Sequence, residues 1–156
     1  MSQPNDRDQQ FDATVVELED LLRHVSAVNR RTGRKILAEF DMTPPQHSAL
    51  LQLHHHGNLT IGELSEKLVL AFSTATDLIN RMERNGLVVR ERDTVDRRVV
   101  RLRILEKGER LLDEIIYARR VYFSNLFQHI SPEEQKQLVH ALHVIDEVMS
   151  EASTKS

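Results

Sequence analysis

The sequence predicts a mainly α-helical fold with six helices and one small β-hairpin. Over most of the chain, apolar residues recur three or four positions apart, as on one face of an amphipathic helix. Only between about residues 87 and 104 does the pattern change to the alternation of β-strands. Serine or threonine followed by proline, glutamate or glutamine marks several helix starts. The predicted order is four helices, the hairpin and two further helices.

The first two helices are predicted from a long apolar stripe and from a helix-start signal. The stripe lies between about Asp12 and Glu39 and consists of Val15, Leu18, Leu21, Leu22, Val25, Val28, Ile36 and Leu37. Thr43-Pro44-Pro45-Gln46 predicts the start of the second helix, with the threonine as N-cap and proline in the first turn. Gly57 is expected to end this helix.

Two short helices joined by a tight turn are predicted next. Thr60 and Glu63 have the spacing of a capping box, which opens the third helix. After a turn at residues 69–72, Ser73 is predicted to cap a fourth helix that extends to about Asn85. The apolar stripe of the fourth helix consists of Ala75, Leu78, Ile79 and Met82.

A hairpin follows, with strands predicted at 87–92 and 99–104 and a turn between them. Alternation places Val100, Leu102 and Ile104 on one side of the second strand, and Arg101 and Arg103 on the other. Six arginines lie on this hairpin: Arg90, Arg92, Arg97, Arg98, Arg101 and Arg103. Because like charges repel, we predict a hairpin tip that is mobile in the free protein.

The last two helices are predicted at about 106–129 and from Ser131-Pro132 to about residue 152. The final helix carries apolar residues at heptad-like spacing: Leu138, Leu142, Ile145 and Met149. Together with the stripe of the first helix, these residues exceed what a small domain needs for its own core. The terminal helices are therefore predicted to form a dimer interface.

Charge is distributed unevenly along the chain. The net charge is −3, yet residues 81–103 hold eight arginines and four carboxylates, a net +4 that leaves −7 on the rest. Such a local basic patch is typical of nucleic-acid-binding proteins.

The chain has no cysteine, which excludes disulfides, thiolate zinc sites and cysteine redox switches. No apolar run approaches a membrane span, and residues 1–10 form a polar tail without a signal-peptide pattern, so we expect a cytoplasmic protein.

Two short helices followed by a basic hairpin predict a winged helix-turn-helix fold that binds double-stranded DNA. The major groove, about 12 Å wide, admits one α-helix, and short hydroxyl and amide groups can reach base edges there. The candidate DNA-binding residues of the fourth helix are Ser73, Thr74, Thr76, Asp77, Asn80, Arg81 and Arg84. Thr76 and Asn80 are expected to read bases, and Arg84 to contact phosphate. On the hairpin, Asp96, Arg97 and Arg98 are the candidates, because arginine suits a narrow minor groove.

Residues about 45–108 also resemble the MarR family of bacterial regulators. The resemblance is carried by the stretches 61–68 (IGELSEKL), 73–88 (STATDLINRMERNGLV) and 96–108 (DRRVVRLRILEKG). It implies one domain over 11–156, with a DNA-binding lobe at about 45–105 and dimerisation helices at 11–40 and 106–152. It further implies a homodimer on a pseudo-palindromic operator, with Asp96 orienting an arginine and Arg98 entering the minor groove. A repressor released by a small apolar or aromatic-acid ligand is the expected activity.

Two alternatives remain open from the sequence. The chain has eight histidines, including His54-His55-His56 and the i, i+3 pair His140 and His143. We interpret them as surface residues and assign no metal, but a zinc-sensing regulator of the same fold would use such side chains. A helical module that binds an acidic protein through the basic hairpin is the other alternative. No phosphate-binding loop, nucleophile elbow or His-Glu-x-x-His motif occurs, so we expect neither an enzyme nor a cofactor.

Overall fold

A computed structural model describes residues 11–154 and confirms the predicted fold class and element order. The elements are α1 (Ala13–Glu39), α2 (Pro44–His56), α3 (Ile61–Leu68), α4 (Phe72–Arg84), β1 (Val88–Arg92), β2 (Val100–Ile104), α5 (Glu106–Phe127) and α6 (Pro132–Thr154). The predicted polar tail, residues 1–10, lies outside the described residues. None of the helices within 11–154 has the length and apolar character of a membrane span.

Three helices begin where the sequence predicts, each with a reciprocal cap. The Thr43 hydroxyl accepts from the Gln46 N–H at 3.4 Å, and the Gln46 carbonyl oxygen accepts from the Thr43 N–H at 2.9 Å. At α3, Thr60 and Glu63 make the same exchange at 3.1 and 2.7 Å. Ser131 opens α6 in the same way. Each cap satisfies N–H groups that a helix start otherwise leaves unpaired.

The start of α4 differs from the prediction, since Ala71 and not Ser73 is the N-cap. The αL conformation of Val69 ends α3, and the chain then turns so that Ala71 is already extended (φ −62°, ψ 145°). The Ala71 carbonyl accepts from the Ala75 N–H at 3.0 Å, which places Ser73 inside the first turn. Because alanine has no side-chain acceptor, α4 begins without a side-chain cap.

The described residues form two compact units that divide after Ile115. In the first unit the predicted stripe of α4 is buried, and it shares the core with Leu50, Leu64, Val88, Leu102, Leu112 and Ile115. β1 and β2 are antiparallel, with Val88 opposite Ile104 and Arg92 opposite Val100. Leu102 and Ile104 face the core. Val100, two residues before Leu102 on the same strand, is exposed because its pair with Arg92 is the outermost of the ladder.

Apolar side chains remain exposed on the terminal helices. In the first unit these are Val15, Leu18, Leu21, Leu22, Val25 and Val28 of α1. In the second unit, which holds the end of α5 and α6, they include Leu138, Leu142, Val148 and Met149. Exposed apolar stripes of this length are typical of interaction surfaces. The boundaries assigned to the DNA-binding lobe and the dimerisation helices stay predictions.

Val69 is a β-branched residue in the left-handed region, with φ 53° and ψ 47°, and its side chain is 90% exposed. That conformation costs an L-residue about 1–2 kcal/mol, whereas glycine adopts it freely at an entropic cost of about 0.5–1 kcal/mol. We expect Val69→Gly to raise the free energy of unfolding by up to about 1 kcal/mol, or Tm by about 2–4 °C. Thermal unfolding monitored by circular dichroism measures the change.

Val95→Gly is the matched control, because Val95 is 95% exposed but does not have a positive φ. Its glycine variant should be unchanged or less stable. Equal shifts in Tm for the two variants would show that exposure, rather than the φ of Val69, determines the effect.

Candidate nucleic-acid interface

The polar face of α4 is opposite its buried stripe. The structure exposes Ser73, Thr74, Asp77, Asn80, Arg81 and Arg84 on this helix and leaves Thr76 half-buried. Phe72, at the first helical position, is also exposed, which the sequence reading did not anticipate. The face therefore combines hydroxyl, amide, carboxylate and guanidinium groups within one helix, a set suited to base edges and phosphates.

Two of these side chains also bond to their own helix. The Thr76 hydroxyl donates to the Phe72 carbonyl at 2.9 Å, so its oxygen presents only lone pairs to an outside partner. Arg84 Nε donates to the Asn80 carbonyl at 3.3 Å. This bond fixes the stem of Arg84 while its two terminal nitrogens remain available as donors.

Asp93 organises the turn between the strands. Its Oδ1 accepts from the Val95 and Asp96 N–H groups at 2.7 and 3.2 Å, and its Oδ2 accepts from Arg101 Nε. Its own N–H donates to the Val99 carbonyl at 2.9 Å. The hydrogen bond from Arg101, followed by the backbone donors, lowers the pKa of Asp93 to about 2. The turn is thus held around one ionised carboxylate.

Arg98 projects from this turn and is held by Asp96. Asp96 Oδ1 accepts from the Arg98 N–H at 3.0 Å and from its Nε at 3.2 Å, and Nη2 lies 3.4 Å from Oδ2. These bonds, first the backbone one, lower the pKa of Asp96. The Arg98 side chain is nevertheless 91% exposed. The guanidinium is therefore fixed in direction and open to solvent, as the family resemblance implied for this pair; its contact with DNA stays a prediction.

The predicted repulsion among the six hairpin arginines is wrong, because four of them have carboxylate partners. The pairs are Arg90 with Glu83, Arg98 with Asp96, Arg101 with Asp93 and Glu63, and Arg103 with Glu91. Within residues 11–154, only Arg92 and Arg97 of the six lack such a partner. These ion pairs offset much of the positive charge of the hairpin in the free protein, and the mobility of its tip stays a prediction.

The attachment of the hairpin to the body of the first unit was not predicted from the sequence. The Leu102 N–H donates to the Leu59 carbonyl at 2.7 Å, and Arg101 Nη1 donates to the Asn58 carbonyl at 3.0 Å. Arg90 bonds to both Glu83 and Asn80 of α4. Such contacts between distant positions leave no periodic pattern. Only Asp93 had a local signal, since an aspartate that opens a turn is typical of an Asx-turn.

In the part of the chain that the structure describes, the histidines do not gather into a metal site. Within residues 11–154, no three histidine, aspartate or glutamate side chains come together to hold a metal ion. His140 and His143 lie along one groove of α6 with Lys136, whose positive charge disfavours a cation there. His54 Nδ1 lies 3.0 Å from Glu109 Oε2, so this histidine joins α2 to α5.

The low pKa of Asp93 predicts a pH dependence of stability. A carboxyl whose folded pKa lies near 2, against an ordinary value of 3.8, stabilises the fold above about pH 4 and loses that contribution as the pH falls towards 2. In Asp93→Asn this part of the acid-induced loss should disappear. Urea unfolding between pH 2 and pH 7 measures it. The exposed Asp113→Asn is the control, and an identical pH profile for wild type and Asp93→Asn would contradict the role.

Comparisons with known proteins agree with this geometry. Residues 42–100 match the model of the MarR family. The chain is 44% identical over 133 residues to the uncharacterized HTH-type transcriptional regulator YsmB of Bacillus subtilis, covering 83% of this chain and 91% of that protein. It is 29% identical over 99 residues to the transcriptional repressor MdtR of the same species, covering 64% of each.

A solved structure shows the same likeness along nearly the whole chain. A MarR family protein from Bacillus stearothermophilus is 45% identical and superposes with a TM-score of 0.81, covering 95% of this chain and 99% of that one. The likeness to this MarR family protein thus extends to both the sequence and the fold. The chain belongs to the MarR family and is a DNA-binding transcriptional regulator of the winged-helix type, not an enzyme.

Proposed function

We propose that this regulator is a homodimeric repressor that binds a pseudo-palindromic operator through α4 and the hairpin. The observation that carries the proposal is the pairing of an exposed polar helix face with a hairpin whose Arg98 is aimed outward by Asp96. These are the two features needed for a helix in the major groove and an arginine in the neighbouring minor groove.

Within this site the side chains divide into readers and anchors. Asn80 and Thr76 carry groups that pair with base edges, whereas Arg81 and Arg84 reach towards phosphates. The first turn of α4 has no side-chain cap, so its N–H groups are available to a phosphate oxygen. Ser73 and Thr74 lie in that same turn and can contribute hydroxyl donors.

The homodimer is supported by the exposed apolar stripes of α1 and α6, which a monomer would leave in water. Two copies related by a twofold axis would place their α4 helices on half-sites about 34 Å apart, one turn of B-DNA. An operator with twofold symmetry follows from that arrangement. Because the target is chromosomal DNA, we place the protein in the cytoplasm.

Two observations support repression and the release of the operator by a ligand. The relative MdtR is described as a repressor. In the second unit, a cleft of about 390 Å³ is lined by Ile116, Arg119, Arg120, Phe123 and Ser124. This lining suits a small aromatic acid, whose ring would pack on Phe123 while its carboxylate pairs with the two guanidinium groups. We propose that such a ligand weakens operator binding by changing the spacing of the two DNA-binding lobes.

Selection of bound genomic fragments, followed by fluorescence anisotropy on the enriched duplex, tests the proposal. We expect specific binding that is tighter than binding to random DNA by about 10³-fold or more and weakens linearly in log–log plots against salt. Benzoate is the first effector probe, and it should weaken operator binding in the same anisotropy measurement. No enrichment, with equal affinity for all duplexes, would instead favour a module that binds acidic proteins.

A further inference from the structure

A single guanidinium joins the hairpin to the outer face of α4. Arg90, on β1, donates from Nη2 to Asn80 Oδ1 at 2.8 Å and from Nη1 to the Glu83 carboxylate. Its backbone N–H also donates to Glu83 Oε1 at 3.1 Å. The Arg90 side chain is only 25% exposed, while Asn80 itself is exposed. The bridge is therefore partly sheltered by the protein, but the amide that it holds faces outward.

The chemistry of arginine determines which atom of Asn80 remains free. A guanidinium has five N–H donors and no acceptor, so the atom of Asn80 that faces it must be the amide oxygen. The Asn80 nitrogen, with its two N–H donors, then points away from Arg90. An asparagine that reads adenine needs both groups, with the nitrogen donating to N7 and the oxygen accepting from the 6-amino group. In this protein the oxygen is already engaged.

We propose that Arg90 is a positioning residue that makes Asn80 a donor-only reader of the major groove. Asn80 then recognises a base by its acceptors, such as N7 and O6 of guanine or O4 of thymine, and does not make the two-bond contact with adenine. The inference rests on the proposed operator binding and deepens it, because it assigns the class of base that Asn80 accepts.

The same bridge couples the hairpin to base reading. Because Arg90 belongs to β1, a shift of the hairpin would carry the guanidinium away from Asn80 and release the amide. Lysine cannot replace it, since a single ammonium group does not span Glu83 and Asn80 in the fixed geometry of a fork.

The state of the Asn80 side chain can be measured without DNA. In ¹⁵N NMR spectra of the full chain, the Asn80 side-chain NH₂ should show a restricted amide in the wild type and a freely moving one in Arg90→Met. Arg92→Met removes the same charge from the same strand, but Arg92 makes no contact with Asn80, so this variant should leave the signal unchanged. Equal mobility of the amide in all three proteins would overturn the positioning role, whether or not an operator is found.

The Asn80→Ala variant first identifies the base pair of the selected operator whose preference depends on Asn80. Base reading is then tested by varying that base pair. With the wild type, removing the acceptor of the preferred base (7-deazaguanine for guanine) should weaken binding about fivefold, the effect of one hydrogen bond. In Arg90→Met the freed oxygen should move the preference towards adenine, and replacing that adenine by purine, which lacks the 6-amino group, should abolish the gain. Arg90→Lys should behave like Arg90→Met, while Arg92→Met should weaken all four base pairs equally.

Two results would overturn the proposal. One is a wild-type preference for adenine that depends on the 6-amino group. The other is the same ranking of base pairs in the wild type and Arg90→Met, with both proteins folded by circular dichroism. Failure of the operator-binding proposal is distinct from either, since it would appear as a wild-type protein without any preferred sequence.

Discussion

Leu142→Asp is expected to convert the dimer to monomers and to weaken operator binding by at least about 100-fold. Leu142 lies on α6 with its side chain 62% exposed in the protomer, in line with Leu138 and Met149. A carboxylate placed in an apolar interface loses its hydration without gaining a partner, so the dimer is destabilised. A dimer that holds two half-sites together gains a factor of about 10²–10⁴ over one lobe alone, and the monomer forfeits that factor. Sedimentation velocity at micromolar concentration and anisotropy on the operator measure the two effects.

His140→Asp is the control, because it introduces the same side chain on the opposite face of α6. It should sediment and bind as the wild type does. Since Leu142 is exposed in the protomer, both variants should remain folded. A Leu142→Asp protein that still sediments as a dimer, or a wild type that is monomeric, would contradict the assignment of α6 to the dimer interface.

The features that the sequence predicted well are those encoded over a few neighbouring residues. The capping boxes at Thr43 and Thr60 specify helix starts within four positions, and the structure contains both. The buried stripe of α4 follows directly from the 3.6-residue period. The change to alternation at the hairpin located both strands to within a residue of their observed ends.

The features that were missed depend on partners far apart in the chain or on backbone conformation. The ion pairs that Arg90 makes with Glu83 and Arg101 makes with Glu63 depend on where the hairpin lies against α4 and α3, which no local pattern encodes. Counting arginines without those partners led to the wrong inference of repulsion. Ser73 was predicted as the cap of α4 because serine is a common N-cap. In the structure the left-handed conformation of Val69 ends α3, and Ala71 is the N-cap, so α4 begins before Ser73.

The predicted role of Arg98 is to favour A·T-rich sequence beside the recognition site. Narrow A·T minor grooves concentrate negative potential, and the minor groove distinguishes mainly A·T from G·C pairs. Asp96 fixes the Arg98 guanidinium through two side-chain contacts, at 3.2 and 3.4 Å, so the group is directed before DNA arrives. We expect Arg98→Ala to lose about tenfold in affinity on operators with A·T-rich flanks, or about 1.4 kcal/mol, and much less on G·C-rich flanks.

Arg98→Lys separates this role from diffuse attraction, because lysine keeps the charge but not the fork that Asp96 holds. If the minor-groove role is right, Arg98→Lys should lose most of the flank preference, and Asp96→Ala should lose part of it because the guanidinium is no longer directed. Arg97, which has no carboxylate partner within residues 11–154, provides the matched variant: Arg97→Ala removes the same charge one position away and should weaken both kinds of operator equally. Binding of the wild type and the four variants to operators that differ only in their flanks distinguishes the two explanations. A flank preference that is the same in all five proteins would mean that the hairpin contributes positive charge alone, and a loss confined to Arg97→Ala would transfer the minor-groove role to that neighbour.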